Sequence, residues 1–95
     1  MAEHRNRGPR RIDIGDGNHL SVFEHGWGEV ALLLLHGIPG RAGAWDRVVD
    51  RLPPGYRAIV PDLLGFGASS RPTGALDLHA ENQANALVAA LDPDA

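Results

Sequence analysis

The sequence predicts an α/β fold in which a β-hairpin leads into a β-α-β-α run with parallel strands. Three observations carry that prediction. The run Ala31 to Leu35 is wholly apolar and is cut off by His36-Gly37-Ile38-Pro39-Gly40, the pattern of a strand buried on both faces that ends in a sharp turn. Trp45, Val48, Val49 and Leu52 fall at i, i+3, i+4, i+7, and so do Ala84, Leu87, Val88 and Leu91, the spacing of one helix face. Arg57 to Val60 is a short β-rich run. The third strand therefore reaches the fourth through a helix, a unit that implies parallel pairing.

Each element has its own signal. Residues 1–10 read as a loose arm. Arg11 to Ile14 alternates polar and apolar, with Ile12 and Ile14 on one face. Gly15-Asp16-Gly17-Asn18 is dense turn chemistry, and His19 to His25 follows as a second strand, with Leu20 and Val22 on one face and Phe23 on the other. These two strands make the hairpin. Gly26-Trp27-Gly28 breaks the chain before the third strand, Val30 to Leu35. The first helix is expected over Ala44 to Leu52, with Asp46 near its start, where the helix dipole favours an anion, and Pro53-Pro54-Gly55 as its stop. Pro61 to Pro72 is a loop. Asp77 is the expected N-cap of the second helix, Glu81 lies in its first turns, and Asp92-Pro93 ends it. Residues 11–95 thus form one domain portion without an internal repeat or linker. A helix packed on a sheet normally returns to a further parallel strand, and none follows, so the sheet is expected to be incomplete.

Composition narrows the function. A chain of 95 residues, 43% of them hydrophobic, makes one small domain that hides only about 60–65% of its unfolded surface. There is no cysteine, which removes disulfides and thiolate chemistry. The net charge of −3 gives no general attraction to nucleic acid. All basic residues are arginine, and Arg5, Arg7, Arg10 and Arg11 cluster at the start. Four charges without aromatics are a weak anionic-surface footprint and read better as a solvated terminus. No apolar run approaches the roughly 18–20 residues that span a bilayer, and the first residues contain no apolar stretch like that of a signal peptide. A cytoplasmic protein without membrane contact is the expectation.

Two motifs carry chemistry. In His36-Gly37-Ile38-Pro39-Gly40, Gly37 lets main chain approach a ligand without a Cβ. Pro39 has no N–H, so the free donors are those of Gly37 and Ile38. An N–H aimed into a pocket stabilises an oxyanion in acyl transfer. Alternatively, the motif is an ordinary strand-to-helix turn. Pro39 is a candidate for the cis isomer, which occurs in tight turns of fixed direction. The second motif, Asp62-Leu63-Leu64-Gly65-Phe66-Gly67-Ala68-Ser69, also follows a strand. As a phosphate cradle it fails: Ser70 stands where a third glycine belongs, and Pro72 and Gly74 preclude a helix there. As a structural loop it fits, with glycines supplying positive φ and with Asp62 and Ser69 bonding the backbone.

Taken together and in order, His36 and Asp62 lying 26 positions apart, the strand-HGxPG, the helix with Trp45 and the strand-PDxxGxGxS resemble the amino-terminal part of the α/β-hydrolase superfamily. The resemblance is closest to the branch with epoxide hydrolases, haloalkane dehalogenases and related esterases, and it covers about residues 11–92. It implies that Ile38, the residue after His-Gly, lends its N–H to an oxyanion hole, that His36, Gly37 and Pro39 shape that turn, and that Asp62, Gly65, Gly67 and Ser69 belong to a structural loop near the pocket. Dehalogenases of the family often carry a side-chain donor after His-Gly; Ile38 has none, which leaves main-chain donation. A small-molecule substrate is implied for the parent enzyme, and no cofactor.

The family's nucleophile sits on an elbow such as G-x-S-x-G after the next strand, with the acid and histidine later still. This chain has no such elbow. Ser69 and Ser70 lie in the wrong motif, and His79 reads as a solvated residue near a helix start. His19 and His25 share a strand face without being close; with no cysteine and scattered carboxylates, no metal site is expected. Trp45 reads as core before pocket. The expectation is a hydrolase portion that supplies the oxyanion turn for an ester, epoxide or similar small substrate and is inactive alone. The alternative is a non-enzymatic interaction module. Its unpartnered third strand, an open apolar edge, would be completed by a partner chain or by self-association.

Overall fold

A computed structural model describes residues 8–72 and 78–92. Asp77, the expected N-cap, lies outside the described residues. The elements are β1 (Arg10–Gly15), β2 (Asn18–Gly26), β3 (Val30–Leu33), a 3₁₀ turn (Ala42–Trp45) that runs into α1 (Asp46–Val49), β4 (Tyr56–Pro61) and α2 (Ala80–Leu91). The four strands form one mixed sheet in the order β1-β2-β4-β3. β1 and β4 flank β2 antiparallel, and β3 pairs with β4 in parallel.

The hairpin follows from its turn. Gly15 pairs with Asn18, which leaves Asp16 and Gly17 as the two-residue connection, with φ of 55° and 77°. Positive φ at both central positions is the requirement of the hairpin turn whose twist matches the flanking strands. Alternation along β2 then divides the core. Leu20 and Val22 point to one face, where they pack with Leu64 and Ala86 and are joined by Ile12, Ile14, Ile59, Leu87, Ala90 and Leu91. Phe23 points to the other, with Val49, Ala58, Val60, Leu34, Trp45 and Leu52. The sheet is thus covered by α2 on one side and by the 3₁₀–α1 segment on the other, a three-layer α/β arrangement. Leu20 and Val22 are wholly buried, and each contributes about 1.5–3 kcal/mol of transfer free energy.

Three expectations are corrected. The apolar run was expected to be buried on both faces, but β3 ends at Leu33, and Val30, Leu33 and Leu35 are each more than 40% exposed. Among the described residues β3 has one neighbour, β4, and α2 packs over β1 and β2. The first helix was expected over Ala44 to Leu52. The α-helical part is only Asp46–Val49, after which Arg51 and Leu52 donate to Val48 and Val49 in the tighter i→i+3 pattern. Pro53 disfavours the α conformation at the residue before it, in keeping with that tightening at the helix end. Val48 faces solvent, while Trp45, Val49 and Leu52 pack inward.

The third correction concerns α2. The expected inward stripe was Ala84, Leu87, Val88 and Leu91. Leu87 and Leu91 do pack against the core, but the structure buries Gln83 and Ala86, while Ala84 and Val88 are exposed. The rotation has a polar cause. Gln83 Oε1 accepts from the Leu64 N–H (2.9 Å) and its Nε2 donates to the Leu64 carbonyl (2.8 Å). Both partners are buried, and an unpaired buried backbone group is costly, so the helix turns to present the amide. Gln83→Ala is expected to destabilise the chain by about 2 kcal/mol, the cost of leaving these groups unpaired. A urea unfolding midpoint equal to that of the wild type would refute this.

Candidate functional site

The candidate site lies at the carboxyl end of the parallel pair, where open α/β sheets bind ligands. It is built from two segments, residues 36–42 after β3 and residues 62–69 after β4. β3 delivers His36 in register: Leu34 N–H donates to the Ile59 carbonyl (3.0 Å), so the strand alignment continues to the edge of the turn.

His36 is buried and carries no free ring nitrogen. Its Nε2 accepts from the Leu63 N–H (3.0 Å), and its Nδ1 lies 2.7 Å from the Gly37 carbonyl. A carbonyl only accepts, so Nδ1 bears the proton and the imidazole is neutral. Phe66 packs edge-on against the ring, centroids 5.7 Å apart. With both nitrogens engaged, His36 is neither base nor metal ligand here. It fastens the first segment to the second.

A second tie crosses the same gap. The Asp62 carboxylate is buried, and its Oδ1 accepts from the Ala42 N–H (2.6 Å) while Oδ2 accepts from the Ala68 N–H (3.0 Å). The Asp62 N–H donates to the Ser21 carbonyl (2.9 Å). Ser69 is fully buried beneath it, where its hydroxyl donates to the Asp62 carbonyl (2.6 Å) and accepts from the Ser21 N–H (2.8 Å). Gly65 and Gly67 have φ of 87° and 54°. The loop from Asp62 to Ser69 is therefore a rigid bracket anchored on β2.

Between the ties, the backbone of the turn is open. Ile38 is 65% exposed, and the N–H groups of Gly37 and Ile38 donate to no described residue. The Ile38–Pro39 peptide is cis. A Cβ on Gly37 would meet nothing within 4 Å, so the packing of the described residues does not demand glycine there. What this arrangement offers is two main-chain N–H groups without an acceptor among the described residues, in a turn tied to the neighbouring loop.

Other sequence candidates sit elsewhere. Ser70 Oγ lies within hydrogen-bond distance of Asn18 Oδ1 (3.0 Å) and receives the His19 N–H (2.9 Å), which ties it to the hairpin. His19 Nε2 lies 3.0 Å from the Ala68 carbonyl. His79 occupies the N-cap position of α2, exposed. Among the described residues, no group of three or more His, Cys, Asp or Glu could hold a metal ion, and no helix is long and apolar enough to cross a membrane. Leu63, Ala42 and Phe66 complete the site without a sequence signal of their own. Two of them act through backbone N–H groups, which every residue except proline carries.

Comparison with known proteins gives the class. Residues 30–94 match the model of the alpha/beta hydrolase fold family, and the chain belongs to that family. It is 43% identical over 68 residues to a fluoroacetate dehalogenase of a Burkholderia species, covering 72% of this chain and 22% of that protein. It is 39% identical over 81 residues to lipase 1 of Psychrobacter immobilis, covering 82% of this chain and 24% of that protein. Among solved structures it superposes on the haloalkane dehalogenase DpaA from Paraglaciecola agarilytica with a TM-score of 0.74 at 25% identity, over 90% of this chain and 31% of that one. The chain thus spans about a fifth to a quarter of the length of the curated relatives it matches.

Proposed function

We propose that this chain forms the amino-terminal portion of a hydrolase acting on an ester, epoxide or similar small molecule, and that the Ile38 backbone N–H donates to an oxyanion there. The observation that carries this is the turn of residues 36–42: its Gly37 and Ile38 N–H groups have no acceptor among the described residues, yet it is braced at its two ends by Leu63 on His36 and by Asp62 on Ala42. Preorganised donors of this kind act because they cost no reorganisation when charge develops on the reacting oxygen. Ile38 offers only an aliphatic side chain, so donation is through the main chain. Attack itself needs a nucleophile paired with a base. No G-x-S-x-G occurs in the chain, and neither His36 nor Ser69 is free to take those roles. The reading includes no cofactor, and a cytoplasmic setting in keeping with the cysteine-free composition.

The test is a segment exchange. The matched residues of the Psychrobacter lipase are replaced by this chain, and p-nitrophenyl ester hydrolysis is followed. Converting the Gly37–Ile38 amide to a backbone ester removes the Ile38 N–H. It also weakens the Gly37 carbonyl as the acceptor of His36 Nδ1, so an ester one residue earlier, at the His36–Gly37 amide, serves as the control. The expected result is a fall in kcat of about 10²–10³, the loss measured for removal of one oxyanion donor. An active exchange protein whose kcat survives the ester would overturn the assignment. The 95-residue chain alone is expected to give no saturable turnover above a variant lacking His36 and Gly37.

A further inference from the structure

We infer that His36 is a positioning residue for the proposed oxyanion donor: its ring holds the Gly37 carbonyl and so aims the Ile38 N–H at the other end of the same peptide. The inference rests on the oxyanion reading of the turn and adds the side chain that orients the donor.

The carbonyl of Gly37 and the N–H of Ile38 belong to one peptide unit. In a planar trans peptide the two point in opposite directions. Whatever holds the carbonyl therefore sets the direction of the N–H. His36 Nδ1 holds it, at 2.7 Å. The ring is itself fixed in the interior. Its Nε2 accepts the Leu63 N–H at 3.0 Å, and Phe66 packs edge-on against it. The carbonyl has room to face the ring because position 40 is glycine. A Cβ there would lie 2.5 Å from the Gly37 oxygen and 3.2 Å from His36 Nδ1.

The proton's place on the ring belongs to the same arrangement. Nε2 accepts from Leu63 only while it carries no proton, so that contact leaves the proton on Nδ1, where the carbonyl needs a donor. The Leu63 N–H thus selects the tautomer that grips the peptide. A hydrogen bond to a carbonyl also polarises its peptide, which makes the N–H of that peptide a better donor. His36 is buried, with both ring nitrogens engaged. It acts on the reacting oxygen only through the Gly37–Ile38 peptide.

The exchange protein made with the Psychrobacter lipase tests this through His36→Asn and His36→Leu. Both variants lose the acceptor of the Leu63 N–H. Asparagine keeps an N–H donor near the place of Nδ1, and leucine keeps none. A residue that only tied the two segments together would be equally impaired by either change. The expected result is that His36→Leu lowers kcat, by as much as the about 10²–10³ lost with the donor itself, at a nearly constant KM, while His36→Asn keeps most of the rate. Equal kcat in the two folded variants overturns the proposal. Where the leucine variant does not fold, nuclear magnetic resonance of isotope-labelled histidine decides. The His36 proton is expected on Nδ1, and a proton on Nε2 overturns the proposal. A kcat that survives the Gly37–Ile38 ester removes the oxyanion reading and this proposal together. A kcat that falls with that ester but is the same in the asparagine and leucine variants removes this proposal alone.

Discussion

Gly67→Ala is expected to cost at least about 4 kcal/mol, a large share of the roughly 5–15 kcal/mol that holds a native domain together. Two effects add. The residue has φ of 54°, a left-handed conformation that costs an L side chain about 1–2 kcal/mol. A Cβ built there would also overlap the Asp62 carboxylate. That carboxylate has nowhere to move, because its two oxygens are held by the Ala42 and Ala68 N–H groups. The new methyl therefore displaces the bracket itself. Urea titration followed by tryptophan fluorescence measures the loss, and a midpoint within error of the wild type would show that the loop yields more easily than its bonding implies.

Asp62→Ala is the second large change, at about 3–6 kcal/mol for two hydrogen bonds to a charged group, each worth about 1.5–3 kcal/mol. It unties Ala42 from Ala68 and leaves both N–H groups without an acceptor. The two substitutions are coupled, since the overlap that makes Gly67→Ala costly is with the side chain that Asp62→Ala removes. In the Asp62→Ala background, Gly67→Ala is expected to cost only the left-handed strain, about 1–2 kcal/mol. Additive losses in the double variant would mean that the two residues are not in contact.

Much of the fold was readable because its signals are local. The hairpin turn is written in Asp16-Gly17, and the split of Leu20 and Val22 from Phe23 follows from the period of a strand. The parallel pair follows from the intervening helix. What could not be read depends on neighbours far along the chain. An apolar run looks the same at the centre of a sheet and at its edge, so the exposure of Leu33 and Leu35 followed only from the reading of the third strand as unpartnered, not from the run itself. The inward face of α2 keeps Leu87 and Leu91 of the periodic stripe but is centred on Gln83 and Ala86, because periodicity counts apolar residues and Gln83 is polar. At the site, the glycines and proline of residues 36–40 announced a turn. That His36 would spend both nitrogens on the Gly37 carbonyl and the Leu63 N–H had no signal, because its partners are main-chain atoms.

The placement of the turn on β3 has a mechanical consequence. A turn at the end of a central strand is steadied from both sides by the sheet. Among the described residues, this one projects from a strand whose hydrogen-bonded neighbour is β4. Its stiffness comes from two stays set on the adjacent loop, one at each end of the overhang: the Leu63 N–H on His36 and the Asp62 carboxylate on the Ala42 N–H. Where the Ile38 N–H points is therefore fixed less by the strand that carries it than by the loop beside it.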